Sequence, residues 1–503
     1  MILHDFTIYE VAKRNAQLFP DRLAAVDEDR RLTFKQFFDL ANRLAVGLRK
    51  EGIKRGDRIA IMSRNNLESF ALYFASARCG AILVPINTRL SQGEIEYVLN
   101  DCQPKLLFAE NSFQPLLGQN TIKIGSVKRR YSVGQKDGDF LNFDQLIKND
   151  GEMKEIGVKG DDGLIIIYTA AVGGKPRGGL LTHANALASN MQVMYGLSLK
   201  SDDIYLCALP LFHVAGIMFS LNIFHAGGAN VIMPQFDPQK ALELIEFEKV
   251  SIVFSFSPML EQIVEKMNEH DYDLSSVRMT ISITYPECFK EFQALTKSVF
   301  FRVWGQTETL SFITACRHDE KPGSIGRPLP LTRLQIVDER EHPVEVGQSG
   351  EIVIRSPQVF KGYWNLKEET AFTFRGGWHH TGDLGRIDEE GFLWFMGRKQ
   401  EKDLIKTGGE NVYPAEVESV ILKHPQIKEV VVIGVPDPKW VESIKAVCVV
   451  KEGGMVTEKE LIDFVSQKIA SYKKPKHVQL VESLPKTVSG EVDRAKVKEK
   501  YGG

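Results

Sequence analysis

The sequence predicts an α/β protein in two parts: a large N-terminal domain of two doubly wound α/β subdomains plus a small β-rich unit, and a small mobile α+β C-terminal domain. Three observations carry this. Short β-branched apolar runs alternate with helical periodicities from residue 57 to about 315, the pattern of a parallel sheet covered on both faces. Between about 323 and 395 the helical periodicity stops, and short strands separated by turn residues replace it. A polar cluster, Lys-Gln-Glu-Lys-Asp at 399–403, then interrupts the chain before a compact α+β tail. A chain of 503 residues is too long for one core.

Taken in order, Thr33 and Gln36 form a capping-box pattern ahead of Phe34, Phe37, Phe38, Ala41, Leu44, Ala45 and Leu48, whose spacing marks one buried helix face. Strands follow at 57–63, 81–87 and 105–110, separated by a helix through 67–80 and one capped by Ser91 and Glu94. The polar stretch 111–160 reads as a surface meander. Alternation resumes with strands at 204–210, 230–234 and 251–256 and helices near 213–226 and 238–250, so a second subdomain covers about 160–315. Strands at 333–339, 350–356 and 391–397 make the β-rich unit. In the tail, Pro414 opens a helix. Strands at 429–435 and 445–450, a helix with a Thr457/Glu460 capping box and a strand at 477–482 complete it. The domains are therefore placed at 1–397 and 398–503, with a hinge at about 398–403.

A net charge of −2 gives no bulk attraction to nucleic acid or an anionic membrane, so an anionic ligand needs a local site. The cysteines (Cys79, Cys102, Cys207, Cys288, Cys316, Cys448) form no CxxC pair, which argues against a zinc site and a disulfide scaffold and suits a reducing cytoplasm. Residues 1–15 carry charges where a leader would be apolar, and no run reaches the ~18 uncharged apolar residues of a membrane helix. The expectation is a cytoplasmic protein, with peripheral membrane contact and homodimer formation both left open.

From Leu164 to Gly178 the chain reads LIIIYTAAVGGKPRG, a strand opening into a glycine-bearing turn with Lys175 and Arg177. Glycines let backbone N–H groups close around an anion, and the cations offset its charge. The loop fits neither GxxxxGK[ST] nor GxGxxG, and an ordinary surface turn is the competing reading.

Five further segments follow in a fixed order: PLFHVAG (210–216), WGQTE (304–308), TGD (381–383), GRKQEKDLIKTGGENVYPAEVE (397–418) and PKTVSGEVDR (485–494). Together with 168–178 the set resembles the adenylate-forming acyl-CoA synthetases, the AMP-forming superfamily that includes luciferases and peptide-synthetase adenylation domains. The resemblance implies a ligase that couples a carboxylic acid to ATP as acyl-AMP with release of pyrophosphate. The small domain then rotates so that the thiol of coenzyme A attacks. ATP, Mg²⁺ and coenzyme A are the implied cofactors.

The resemblance also implies roles. Thr169, Thr307 and Arg177 meet phosphates, and Glu308 offers a carboxylate to Mg²⁺, which favours oxygen ligands shared with phosphates. Trp304 offers an adenine an aromatic face within Trp304-Gly305-Gln306, where a buried Trp beside a helix cap is the alternative. Asp383 and Arg398 reach the ribose; alone, Asp383 would read as a turn former. His213, Val214 and Gly216 line the acyl pocket, although a lone histidine is as readily structural. Gly408, Gly409 and Glu410 line the tunnel for coenzyme A, with a plain turn before Pro414 as the alternative.

Three departures fall on the adenylation half. Ala170, Val172 and Gly173 stand where similar proteins have hydroxyls, and Arg177 where they have lysine; each lost donor to a charged acceptor costs about 1.5–3 kcal/mol if unreplaced. Ser-Ile-Thr-Tyr-Pro at 282–286 replaces a Gly-Gly-Ala-Pro stretch. Glu491 occupies the position of the lysine that bridges carboxylate and α-phosphate. The expected function is an AMP-forming carboxylate–CoA ligase for an apolar acid (fatty, aromatic or alicyclic), with Phe212, Phe254 and Phe256 as pocket aromatics. The alternatives are an enzyme using preformed acyl-adenylate and a binding homologue with impaired adenylation.

Overall fold

The computed structural model describes residues 5–119, 121–135, 138–149, 153–169, 176–283, 286–399, 404–486 and 492–502. Thr33 and Gln36 close the capping box that starts helix Phe34–Lys50, which buries Phe34, Phe37, Ala41, Leu44, Ala45 and Leu48. Phe37 meets Phe70 and Phe74 of helix Leu67–Cys79, and Phe74 lies 4.7 Å from Phe224 of helix Val214–Ala226. One aromatic core thus joins what the sequence reads as two subdomains.

The sheets exchange strands in the same way. The first has eight strands in the order Gly362–Tyr363, Arg177–Thr182, Gly163–Thr169, Ile82–Pro85, Arg58–Met62, Leu106–Glu110, Arg129–Val133 and Leu141–Asn142. Its hairpin Gly163–Thr169/Arg177–Thr182, assigned from sequence to the second subdomain, is tied to the first by the parallel pair Leu83↔Ile165. The second sheet has nine strands and takes in the N-terminal strand Leu23–Asp27, parallel to Ala229–Ile232. The stretch 111–160 is not a plain meander. It supplies two strands of the first sheet, and Ile122, Ile124, Phe140, Phe143 and Leu146 are buried.

Arg333–Val337, Gly350–Arg355, His379–Ile387 and Leu393–Arg398 form the antiparallel four-stranded unit. A five-stranded sheet, built on the long hairpin Ile427–Asp437/Val441–Val450, makes the C-terminal domain with helices Pro414–Ile421, Glu458–Ser466 and Arg494–Tyr501. The last helix escapes sequence patterning because it buries only Val497. Among the described residues no helix is long and apolar enough to cross a membrane.

Candidate active site between the two domains

Strand Gly163–Thr169 ends on Thr169, and register places Arg177 directly opposite on the returning strand, so both stand at the base of the loop. Residues 170–175, with the replaced hydroxyl positions Ala170, Val172 and Gly173, lie outside the described residues, as do Glu491 and most of the hinge. Thr307 and Glu308 sit in the single helical turn Thr307–Thr309, after strand Val299–Gln306. The Tyr363 hydroxyl donates to Glu308 Oε1 at 2.7 Å, and the Arg177 guanidinium lies 4.7 Å from the centre of the Tyr363 ring. One tyrosine therefore ties the cation to the carboxylate.

Asp383 and Arg398 are cross-strand partners in the four-stranded sheet, with Arg398 Nε 3.2 Å from Asp383 Oδ1. The other carboxylate oxygen accepts from Trp304 Nε1 at 3.0 Å and Gln306 Nε2 at 3.1 Å. This bears on the two sequence readings of Trp304. The indole is 9% exposed and clusters with Ile313, Ile336, Ile352 and Leu393, which matches the alternative of a buried Trp, and its N–H is held by Asp383. Gly305 sits at a bulge where a Cβ would fall 1.6 Å from the Ser311 carbonyl oxygen, so only glycine fits there.

Behind the TGD turn, buried Glu351 accepts from Gly382 N–H at 2.9 Å and pairs with Lys399 at 2.8 Å and His380 at 3.1 Å. Burial alone would raise its carboxyl; the His380, Lys399 and Gly382 donors hold it at about 2. Glu351 thus anchors both the TGD turn and Lys399.

His213 caps helix Val214–Ala226, accepting from Ala215 N–H at 3.2 Å, and its ring stands edge-on to Phe256 at 6.2 Å. Burial lowers its pKa, so it is neutral at pH 7. Val214 is buried in the core, and a Cβ on Gly216 would meet the Pro210 carbonyl oxygen at 2.1 Å, so close packing alone requires this glycine. Phe254 is likewise buried among aromatic side chains, while Phe256 stays half-buried at the site.

The C-terminal hairpin Ile405–Thr407/Glu410–Val412 reaches this wall. Gly408 and Gly409 adopt φ of +57° and +82°, and a Cβ on Gly409 would lie 3.4 Å from the Phe256 ring. Glu410 pairs with Arg89 of the N-terminal domain at 2.8 Å, with Asn87 at 3.5 Å. A cavity of about 70 Å³ opens here, lined by Thr169, Thr307, His213, Asn87, Glu410 and Tyr472. It links the phosphate residues to the domain seam.

Lys406 belongs to this site although no single-residue signal in the sequence marks it beyond its place in the Lys-Thr-Gly-Gly-Glu run. Its side chain is exposed, with the charges of Arg398, Asp383 and Glu442 close enough to act on it. Desolvation, then the Arg398 cation, lower the ammonium from 10.5 to about 8. Below about 8 the native protein carries this charge at full cost; between 8 and 10.5 it loses the proton before the unfolded chain does, and the cost is relieved. An anionic phosphate reverses the preference. AMP affinity should therefore fall as pH rises through about 8, by up to tenfold per pH unit, and Lys406→Ala should bind weakly with a flat profile. Calorimetry from pH 7 to 9.5 checks this; parallel profiles would remove Lys406 from the phosphate.

A ligand fits these residues. Among the described residues Arg177 Nε is buried without a hydrogen-bond partner, at about 1–3 kcal/mol, which a polar ligand relieves. Carboxylate and hydroxyl oxygens at Glu308, Thr307 and Thr169 suit Mg²⁺ shared with phosphate. Among the described residues no cluster of three or more His, Cys, Asp or Glu could hold a metal alone.

Residues 12–364 match the family described as AMP-binding enzyme, and 416–491 match the AMP-binding enzyme C-terminal domain. The chain belongs to the AMP-binding enzyme family. It is 34% identical to an indoleacetate–CoA ligase of Aromatoleum aromaticum over 97% of this chain and 96% of that protein. A double mutant of o-succinylbenzoate CoA synthetase from Bacillus subtilis, bound with its CoA product analogue, superposes with a TM-score of 0.86 at 30% identity, covering 98% of each chain. The same enzyme in complex with AMP, at the same identity and coverage, gives 0.70. This chain therefore superposes better on the product-analogue form than on the AMP form. As a family member the chain is an AMP-forming acid–thiol ligase, and its reaction takes a carboxylic acid, ATP, Mg²⁺ and coenzyme A.

Proposed function

We propose that this enzyme converts an aromatic carboxylic acid to its CoA thioester through an acyl-adenylate, with the domain 398–503 turning at about 398–403 on the body 1–397. The observation that carries the reading is the approach of Gly409 to Phe256, so close that a Cβ there would lie 3.4 Å from the ring, beside His213 and at a cavity that also reaches Thr169 and Thr307. This is the arrangement thioester formation needs, since it brings the tunnel loop to the acyl carbon. The better match to the product-analogue form supports it.

In adenylation, Thr169, Thr307 and Arg177 hold the phosphates, and Glu308, fixed by Tyr363, is the carboxylate that would hold Mg²⁺. When bound, Mg²⁺ neutralises the charge that develops on the phosphates. Trp304, Gln306 and Arg398 occupy three of the roughly four lone-pair directions of Asp383. A ribose therefore meets one acceptor there and the Arg398 donors beside it. In the second half, the thiol sulfur attacks the acyl carbon and gives up its proton to solvent, the bond to the phosphate oxygen breaks, and AMP leaves with that electron pair. Lys406 and Arg398 favour the anionic leaving group.

His213, neutral, and Phe256 give the acid an aromatic wall where edge-to-face packing adds about 0.5–1.5 kcal/mol. The relatives named for indoleacetate and succinylbenzoate favour the same class. A panel of aromatic, alicyclic and fatty acids with ATP, Mg²⁺ and coenzyme A tests it. AMP and thioester should form in equal amounts, with the highest kcat/KM for an aromatic acid. A tenfold preference for a fatty acid would replace the aromatic assignment.

A further inference from the structure

At the seam between the domains one lysine is almost wholly removed from solvent. Lys473, in the single turn Ser471–Lys473, is 1% exposed. Its ammonium lies 2.6 Å from Glu416 Oε1, in the first turn of helix Pro414–Ile421 of its own domain. It also pairs with Glu94, in the first turn of helix Gln92–Cys102 of the N-terminal domain. Glu94 Oε2 accepts in addition from Ala470 N–H at 3.1 Å, a second bond across the seam.

The charges divide unevenly across that seam. Lys473 and Glu416 form a neutral pair on the C-terminal side, while Glu94 keeps the Ser91 N–H at 2.8 Å and the Ser91 hydroxyl at 2.6 Å as its own capping box. Burial works against charge on Glu94, but Lys473 and the Ser91 donors hold its carboxyl below the usual range; Glu416 is raised, burial being the chief cause. A buried ion that loses its partners is strongly destabilising. If the domains part here, Lys473 keeps Glu416, and Glu94 keeps the two Ser91 donors and gains water. An apolar seam would instead expose its surface on opening.

We propose that Lys473 is a positioning residue for the thioester half-reaction: by bridging Glu416 and Glu94 it latches the C-terminal domain where Gly408, Gly409 and Glu410 meet the acyl site, and on release it keeps its pair with Glu416. The proposal rests on the two-orientation reading above. It is tested on the full chain with Glu94→Gln, which removes the charge and keeps a residue that serves a capping box. Thioester formation from coenzyme A and the acyl-adenylate of the best acid in the panel should lose about tenfold in kcat. The KM for acyl-adenylate and the AMP affinity should stay within about twofold. Lys473→Arg should retain more kcat than Lys473→Met. Unchanged kcat in Glu94→Gln, or kcat and AMP affinity falling together, overturns the latch. Failure of the wild-type chain to make thioester from any supplied adenylate overturns the functional reading, and the latch with it.

Discussion

Replacing Asp383 with alanine should weaken AMP binding at least about a hundredfold. The carboxylate is 4% exposed and serves three protein donors at once. Its removal leaves the Trp304 and Gln306 N–H groups without their acceptor and the Arg398 guanidinium without its partner. A ribose hydroxyl loses a charged acceptor as well, and a hydrogen bond to a charged group contributes about 1.5–3 kcal/mol. A hundredfold is about 2.7 kcal/mol, so loss of that bond together with misplacement of Arg398 suffices. The free protein should also lose about 2 kcal/mol of stability, less than the about 3–5 of a fully buried pair because Arg398 keeps some solvent. Calorimetry with AMP and denaturant unfolding measure the two. AMP affinity within threefold of wild type would mean that the nucleotide does not sit at this carboxylate.

The alternating strands and helices were legible because each element announces itself locally: the capping boxes at Thr33, Ser91 and Thr457 all form. What the sequence could not reveal is pairing between distant segments. Nothing near Leu164 says that its strand lies beside Ile82–Pro85, and nothing near Leu23 points to Ala229–Ile232. The same limit divides the site. Asp383 and Arg398 were legible as a pair through their motifs, and strand register sets them opposite each other. For Trp304 the sequence left an adenine face and a buried Trp both open; its burial and its N–H bond to Asp383 are set by the β-rich unit packed on it. Gly216 carries a requirement that no motif shows, the neighbouring carbonyl of Pro210. Tyr363, Arg89, Glu351 and Lys473 carry no motif of their own, and each acts through a partner far away in the chain.

The lysine variant at position 491 should raise acid-dependent ATP–pyrophosphate exchange by tenfold or more. Glu491 lies outside the described residues, and its charge decides the expectation. In similar proteins this position supplies the cation that bridges the carboxylate and the α-phosphate. A glutamate brings a like charge to an anionic centre, where repulsion in a partly buried site is strong. Two nearby lysines are already engaged. Lys486 pairs with Glu429 at 2.6 Å, and Lys473 is enclosed by Glu416 and Glu94. Tenfold needs only about 1.4 kcal/mol of added transition-state stabilisation, well within what one cation at an α-phosphate provides. Thioester formation from supplied acyl-adenylate should stay within about twofold, because the approach of Gly409 to Phe256 places the second half-reaction in the hands of the other loop. If wild type exchanges rapidly and Glu491→Lys is slower, another cation already performs this role. Alanine at Arg177, Lys474 or Lys486 would then identify it by loss of exchange, since that cation alone would couple adenylation to its own removal.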